Sequence, residues 1–366
     1  MAPGMMDGSV DATAAIGEAP SARIAGVETT APPTPNMPES TPVAKPAIVV
    51  STMIQKFDMA VGGYPSSMGS PISLGGVYVP LVTPFAADGS VALDAVEGLA
   101  HGYLDAGAAG LVPLGTTGES PALDFDEQRA VVDVCAKVST ERGTQMIVGA
   151  GTNSTRTTIA AVQRLADVPA ATAALVVVPY YVRPSQAGIV AHYAEVARAS
   201  PVPIIVYNIP YRTGRALDAD GLLELARTPN IAGLKQAVGS LDGDTLRVLA
   251  ESPDDFHVLG GEDPYLFPTA LLGGAGAICA SAHLCTERFV TMIECGVAGK
   301  VDEGRAHHEA LRPVIAAGFA EPNPCVFKAV LHAQGKIPTP DLRLPMTPAS
   351  SVALERALAA VDAAGG

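Results

Sequence analysis

Between residues 77 and 282 the chain repeats one unit eight times: a short apolar run ending in a polar or glycine-rich turn, then a longer amphipathic segment. Nearly continuous apolar runs of this length belong to strands buried on both faces. Parallel strands covered by helices provide that burial. The first four runs are VYVPLVTPF from Val77, GLVPLGTTGE from Gly110, MIVGAGT from Met146 and ALVVVPYY from Ala174. PIIVYNIP from Pro203, IAGLKQA from Ile231, FHVLGGED from Phe256 and GAICASA from Gly276 complete the set. Between the second and third lies DFDEQRAVVDVCAKV, where Val131, Val134, Cys135 and Val138 share a helical face and Asp124 with Glu127 starts a capping box. Eight units in roughly 220 residues have the size of a (β/α)₈ TIM barrel. A doubly wound open sheet is the alternative that periodicity alone leaves standing.

The expected organisation is therefore an α/β barrel over residues 71–298, followed by a helical region without further strand candidates over residues 299–366. Residues 1–70 are rich in Ala, Pro, Thr, Ser and Gly and are expected to form a disordered low-complexity leader. Asp7, Asp11, Glu18, Glu28 and Glu39 argue against an organelle transit peptide there, and no basic start with an apolar block marks a secretory signal. The stretch AIVVSTMI at residues 47–54 reads equally as a pairing strand or a docking helix.

With 37 acidic against 23 basic residues the formal charge is −14, so neither nucleic acid nor an anionic membrane is an expected partner. An anionic ligand must instead be held by a local cluster of donors. No apolar run approaches the roughly 20 residues that span a bilayer. The five cysteines are scattered without CxxC spacing, which favours a reducing, cytoplasmic setting. The seven histidines form no HxH or HExxH pattern, so no metal site is expected.

In a barrel of this kind chemistry gathers at the C-terminal strand ends. The second run ends in Gly115, Thr116, Thr117, Gly118 and Glu119, the fourth in Tyr180 and Tyr181, and the fifth in Tyr207 and Asn208 with Arg212 just beyond. Lys235 lies inside the sixth run, where an ammonium ion is expensive to bury. It is either half of an ion pair with a neighbouring strand or a nucleophilic amine whose pKa desolvation has lowered. Tyr207 and Tyr181 are rim residues or, bridged by the Thr117 hydroxyl, a proton path. The planar fork of Arg212 suits a substrate carboxylate, and the glycine-permitted GTTGE turn offers hydroxyls and backbone N–H groups to another.

GTTGES, VVPYYVRPSQAG, YNIPYRTG, GLKQA, EPNPCVFKAV and LRLPMTP stand in the order and spacing of the synthase branch of the dihydrodipicolinate synthase and N-acetylneuraminate lyase superfamily. The chain resembles that superfamily from about Gly75 to its C-terminus. The resemblance implies a Schiff-base lyase joining pyruvate to L-aspartate 4-semialdehyde in the diaminopimelate and lysine pathway, without a cofactor. It implies Lys235 as the Schiff-base lysine and Tyr207, Thr117 and Tyr181 as the proton relay, with Tyr181 serving a neighbouring subunit's site. Thr116 and Thr117 would hold pyruvate's carboxylate, Arg212 that of the semialdehyde, and Gly261 and Ile278 would line the pyruvate site. The assembly implied is a homotetramer, a dimer of dimers. A pyruvate aldolase for sugar acids and a catalytically silent keto-acid-binding paralogue are the rival readings.

Two departures from the synthase pattern stand out: Tyr211 where a small residue is usual, and Gln236 where an acid commonly follows the lysine. A third concerns regulation. Phe125, Gln128 and Thr157 occupy the positions of two histidines and a glutamate that hold lysine in feedback-sensitive relatives, while Ser120, Asn153 and Tyr180 keep the sensitive pattern. Weak or absent inhibition by lysine is the expectation.

Overall fold

A computed structural model describes residues 72–366. The expected leader over 1–70, including the stretch at 47–54, lies outside the described residues. Each of the eight apolar runs contributes one strand: β1 Gly76–Val79, β2 Gly110–Leu111, β3 Gln145–Gly149, β4 Ala171–Val177, β5 Ile204–Asn208, β6 Ile231–Gln236, β7 His257–Gly260 and β8 Gly276–Ile278. All pair in parallel with their sequence neighbours, and β8 pairs with β1, so the sheet is closed. Closure excludes the doubly wound alternative. The strands are shorter than the runs because the C-terminal part of each run turns off into the mouth of the barrel.

Helices alternate with the strands: α1 Leu93–Asp105, α2 Phe125–Arg142, α3 Thr155–Gln163, α4 Gln186–Ala199, α5 Pro210–Thr213, α6 Ala219–Ala226, α7 Gly243–Glu251, α8 Leu266–Leu271 and α9 Thr286–Val297. Their starts are written in the loops. Asp124 and Glu127 form the reciprocal capping box on α2, while Ser185, Asp218 and Asp242 accept hydrogen bonds from the first turns of α4, α6 and α7. Gly143 ends α2 at φ +64°, a left-handed conformation that glycine adopts without the Cβ penalty.

Alternation along each strand sorts side chains into two cores. Ile204, Val206, Ile231 and Leu234 face the helices, whereas Ile205, Tyr207, Leu175, Leu259 and Ile278 fill the barrel interior. Three further helices follow, α10 Val301–Gly318, α11 Cys325–Ala333 and α12 Ser351–Ala363. Leu311, Val314, Val326, Phe327, Val330, Ala357 and Val361 bury them in the same apolar layer as the barrel helices. α10 and the turn after it thereby reach across the mouth.

Candidate active site

The β5–β6 register places Tyr207 directly beside Lys235, and both side chains turn into the barrel. Only 7% of Lys235 is exposed, and the exposed part meets a cavity of about 440 Å³ at the C-terminal end of the barrel. Burial pulls its pKa down from 10.5 to about 8; nearby Asp263 and Cys279 oppose this and Arg212 assists it. No carboxylate lies within ion-pair distance of Lys235 among the described residues, so the ion-pair reading falls. Gly261 completes the fit: a Cβ there would meet Lys235 Cγ at 2.7 Å, so the lysine stem packs against bare backbone.

Burial also raises the Tyr207 phenol above its ordinary range, against the pull of Arg212 and of the nearby Thr116 side chain. It therefore stays protonated. Thr117 is buried at the start of the loop after β2, and its Oγ1 accepts a hydrogen bond of 3.0 Å from Asn323 Nδ2, in the turn between α10 and α11. Glu119 ends the GTTGE turn with φ +54°, a left-handed conformation uncommon for a residue with a Cβ. It is held there by a partner 209 residues away: Lys328 Nζ on α11 donates to Glu119 Oε1 at 2.9 Å and to Thr83 O at 2.9 Å. Glu119 Oε2 accepts from the Arg343 backbone N–H at 3.1 Å, and Phe85 lies 4.1 Å under the Lys328 ammonium.

Thr116, Thr117, Tyr207, Arg212, Lys235, Gly261 and Ile278 all line the cavity. Tyr181 does not. It stands 87% exposed on the loop after β4, with φ +70°. Gln236, the neighbour of the lysine, points away into a chain of hydrogen bonds that ends on Asp242. It accepts from Asn208 Nδ2 at 3.0 Å and donates to Thr245 Oγ1 at 2.9 Å, which donates to Asp242 Oδ1 at 2.6 Å. A carboxylate at position 236 could not accept from Asn208 and donate to Thr245 at once, so glutamine suits this environment. Tyr211 sits at the rim, with its hydroxyl 3.4 Å from Glu262 Oε2.

The profile of the Dihydrodipicolinate synthetase family matches residues 73–364. The chain belongs to this family. Among its relatives, the 4-hydroxy-tetrahydrodipicolinate synthase of Moorella thermoacetica is 40% identical over 291 residues, covering 80% of this chain and 98% of that one. The enzyme of the same name from Neisseria meningitidis serogroup B is 35% identical over 292 residues, 80% of this chain and 99% of that one. The solved dihydrodipicolinate synthase of Thermotoga maritima superposes with a TM-score of 0.77 at 33% identity, covering 80% of this chain and 99% of that chain. A solved structure described as the first monomeric dihydrodipicolinate synthase variant gives the same TM-score and identity over 97% of its chain.

Within this family frame, sequence reasoning missed Asn323, Glu262 and Asp263, which line the cavity, and Lys328, which braces Glu119 at the end of the GTTGE turn. Glu262 and Asp263 stood at the end of the seventh run and could have been found by the strand-end rule that found Lys235. Lys328 carried a fainter signal, a cation inside the apolar helix face VFKAV.

Proposed function

We propose that this enzyme is a 4-hydroxy-tetrahydrodipicolinate synthase in which Lys235 condenses pyruvate with L-aspartate 4-semialdehyde. The observation that carries the reading is the buried, unpaired Lys235 facing the cavity, with its amine lowered to about 8 by desolvation. At pH 7 about a tenth of such amines are neutral, against about one in three thousand at the ordinary value. The neutral amine adds to the ketone of pyruvate, the carbinolamine loses water, and the imine tautomerises to an enamine. Its terminal carbon bonds to the aldehyde carbon of the semialdehyde. The semialdehyde's amino group then adds to the imine carbon, the bond to Lys235 breaks, and the ring closes with one water released overall.

Proton transfers in these steps fall to Tyr207, whose raised pKa keeps the phenol a donor, with Thr117 and Tyr181 completing the relay. Thr116 and Thr117 take the carboxylate of pyruvate, Arg212 takes that of the semialdehyde, and Gly261 and Ile278 bound the pyruvate site. The exposed position and positive φ of Tyr181 suit a residue that works in a neighbouring subunit, which supports a homotetramer built as a dimer of dimers. Sedimentation equilibrium tests this assembly. Five buried free cysteines favour the cytoplasm, and no described helix is long and apolar enough to cross a membrane. A coupled assay with the semialdehyde against sialic acid and sugar-acid aldols decides the substrate. Turnover of the sugar acids alone would replace this reading with the aldolase.

A further inference from the structure

An amino-acid aldehyde brings a carboxylate and an ammonium group into the same cavity. Arg212 answers the first charge, and two carboxylates at the end of β7 are available for the second. Asp263 is already committed: it is 3% exposed and its Oδ2 accepts the Ser281 backbone N–H at 2.8 Å. Glu262 is built differently. It lines the cavity and is anchored through one oxygen only, Oε2 accepting from the Gly239 backbone N–H at 3.1 Å and from the Tyr211 hydroxyl at 3.4 Å. Its Oε1 has no hydrogen-bond donor among the described residues. The Gly239 end of this anchor sits at φ +80°, so the loop after β6 is shaped to present that N–H.

We infer that Glu262, steadied by Tyr211, is the receptor for the α-ammonium group of the second substrate and the residue that selects an amino-acid aldehyde over an aldehyde lacking the amine. The inference rests on the function proposed above. It also gives the ring-closing step a place for its proton. Glu262 takes one proton from the ammonium, and the freed electron pair bonds to the imine carbon. A second proton passes from that nitrogen to Nζ, and the C–Nζ bond breaks with its electrons remaining on Lys235. The product leaves as a cyclic iminium, and Glu262 returns its proton to water. Burial raises the pKa of Glu262, which brings it closer to that task. Tyr211 adds to the same geometry, since a small side chain at its place would leave Oε2 with the Gly239 donor alone.

The full-length enzyme is tested with pyruvate and either L-aspartate 4-semialdehyde or its deamino analogue, succinate semialdehyde, condensation being read by mass spectrometry of the adducts. Glu262→Gln is expected to lower the ratio of kcat/KM for the amino aldehyde over the analogue by about tenfold or more. Glu262→Asp keeps the charge and is expected to fall between the two, and Tyr211→Phe to lower the ratio by a smaller factor. An unchanged ratio in Glu262→Gln, with folding verified by circular dichroism, overturns the inference. Should the wild-type enzyme trap pyruvate on Lys235 yet condense neither aldehyde, the proposed function itself fails and the inference with it.

Discussion

Lys235 and Tyr207 face each other across the β5–β6 register, and the lysine Nζ lies 4.3 Å from the centre of the tyrosine ring. Burial of the lysine as a whole, rather than the ring contact, is what favours the neutral amine. The charged form dominates below the lowered pKa and cannot attack a carbonyl. We expect kcat/KM for pyruvate to rise about tenfold per pH unit below about 8 and to level off above it. A profile still climbing steeply at pH 10 would show an unshifted lysine.

Borohydride added in the presence of pyruvate reduces an imine to a stable secondary amine. The three-carbon mass is expected on the peptide containing Lys235, and Lys235→Arg is expected to lose it because guanidinium stays protonated. Peptide mapping that finds the label on another lysine refutes the assignment.

Arg212 is exposed at the cavity rim on α5, and the function proposed above gives it the carboxylate of the second substrate. Arg212→Ala should raise KM for L-aspartate 4-semialdehyde about tenfold to a hundredfold, while KM for pyruvate moves less than about twofold. Equal effects on both substrates would place the guanidinium elsewhere in the mechanism.

The Lys328–Glu119 pair is fully withdrawn from water, so removing one partner strands the other charge. Lys328→Met is expected to destabilise the fold by about 3 to 5 kcal/mol and lower Tm by on the order of 5 to 15 °C. The double change Lys328→Met with Glu119→Gln should cost less than the sum of the single changes. Additive losses, read by thermal unfolding, would mean that the two side chains do not act as a pair.

Inhibition by L-lysine should be weak. Phe125 is exposed and carries the Arg164 guanidinium 5.2 Å from its ring centre, while the Gln128 amide is spent on Ser120 O and Leu123 O. Thr157, at the position of the glutamate in sensitive relatives, offers an effector ammonium no carboxylate. Half-inhibition below about 0.1 mM in the coupled assay would contradict this.

The order of strands, the capped start of α2 and the candidacy of Lys235, Tyr207, Thr117 and Arg212 could be read from the chain because each depends on local pattern. Apolar runs and capping residues act within a few positions, and a lysine inside an apolar strand is conspicuous wherever that strand goes. Closure of the sheet was not local: it depends on β8 meeting β1 across the whole barrel, about 200 residues apart in sequence. The same holds for the choice between ion pair and nucleophile at Lys235. Only packing gave Lys328 a carboxylate from a loop 209 positions earlier while leaving Lys235 with a tyrosine ring and a cavity. Which oxygen of Glu262 stays free, and that Tyr181 stands outside the cavity of its own chain, were likewise decided by loops converging in space. Electrostatic partners are set by distance through the fold, and distance along the chain carries almost no information about them.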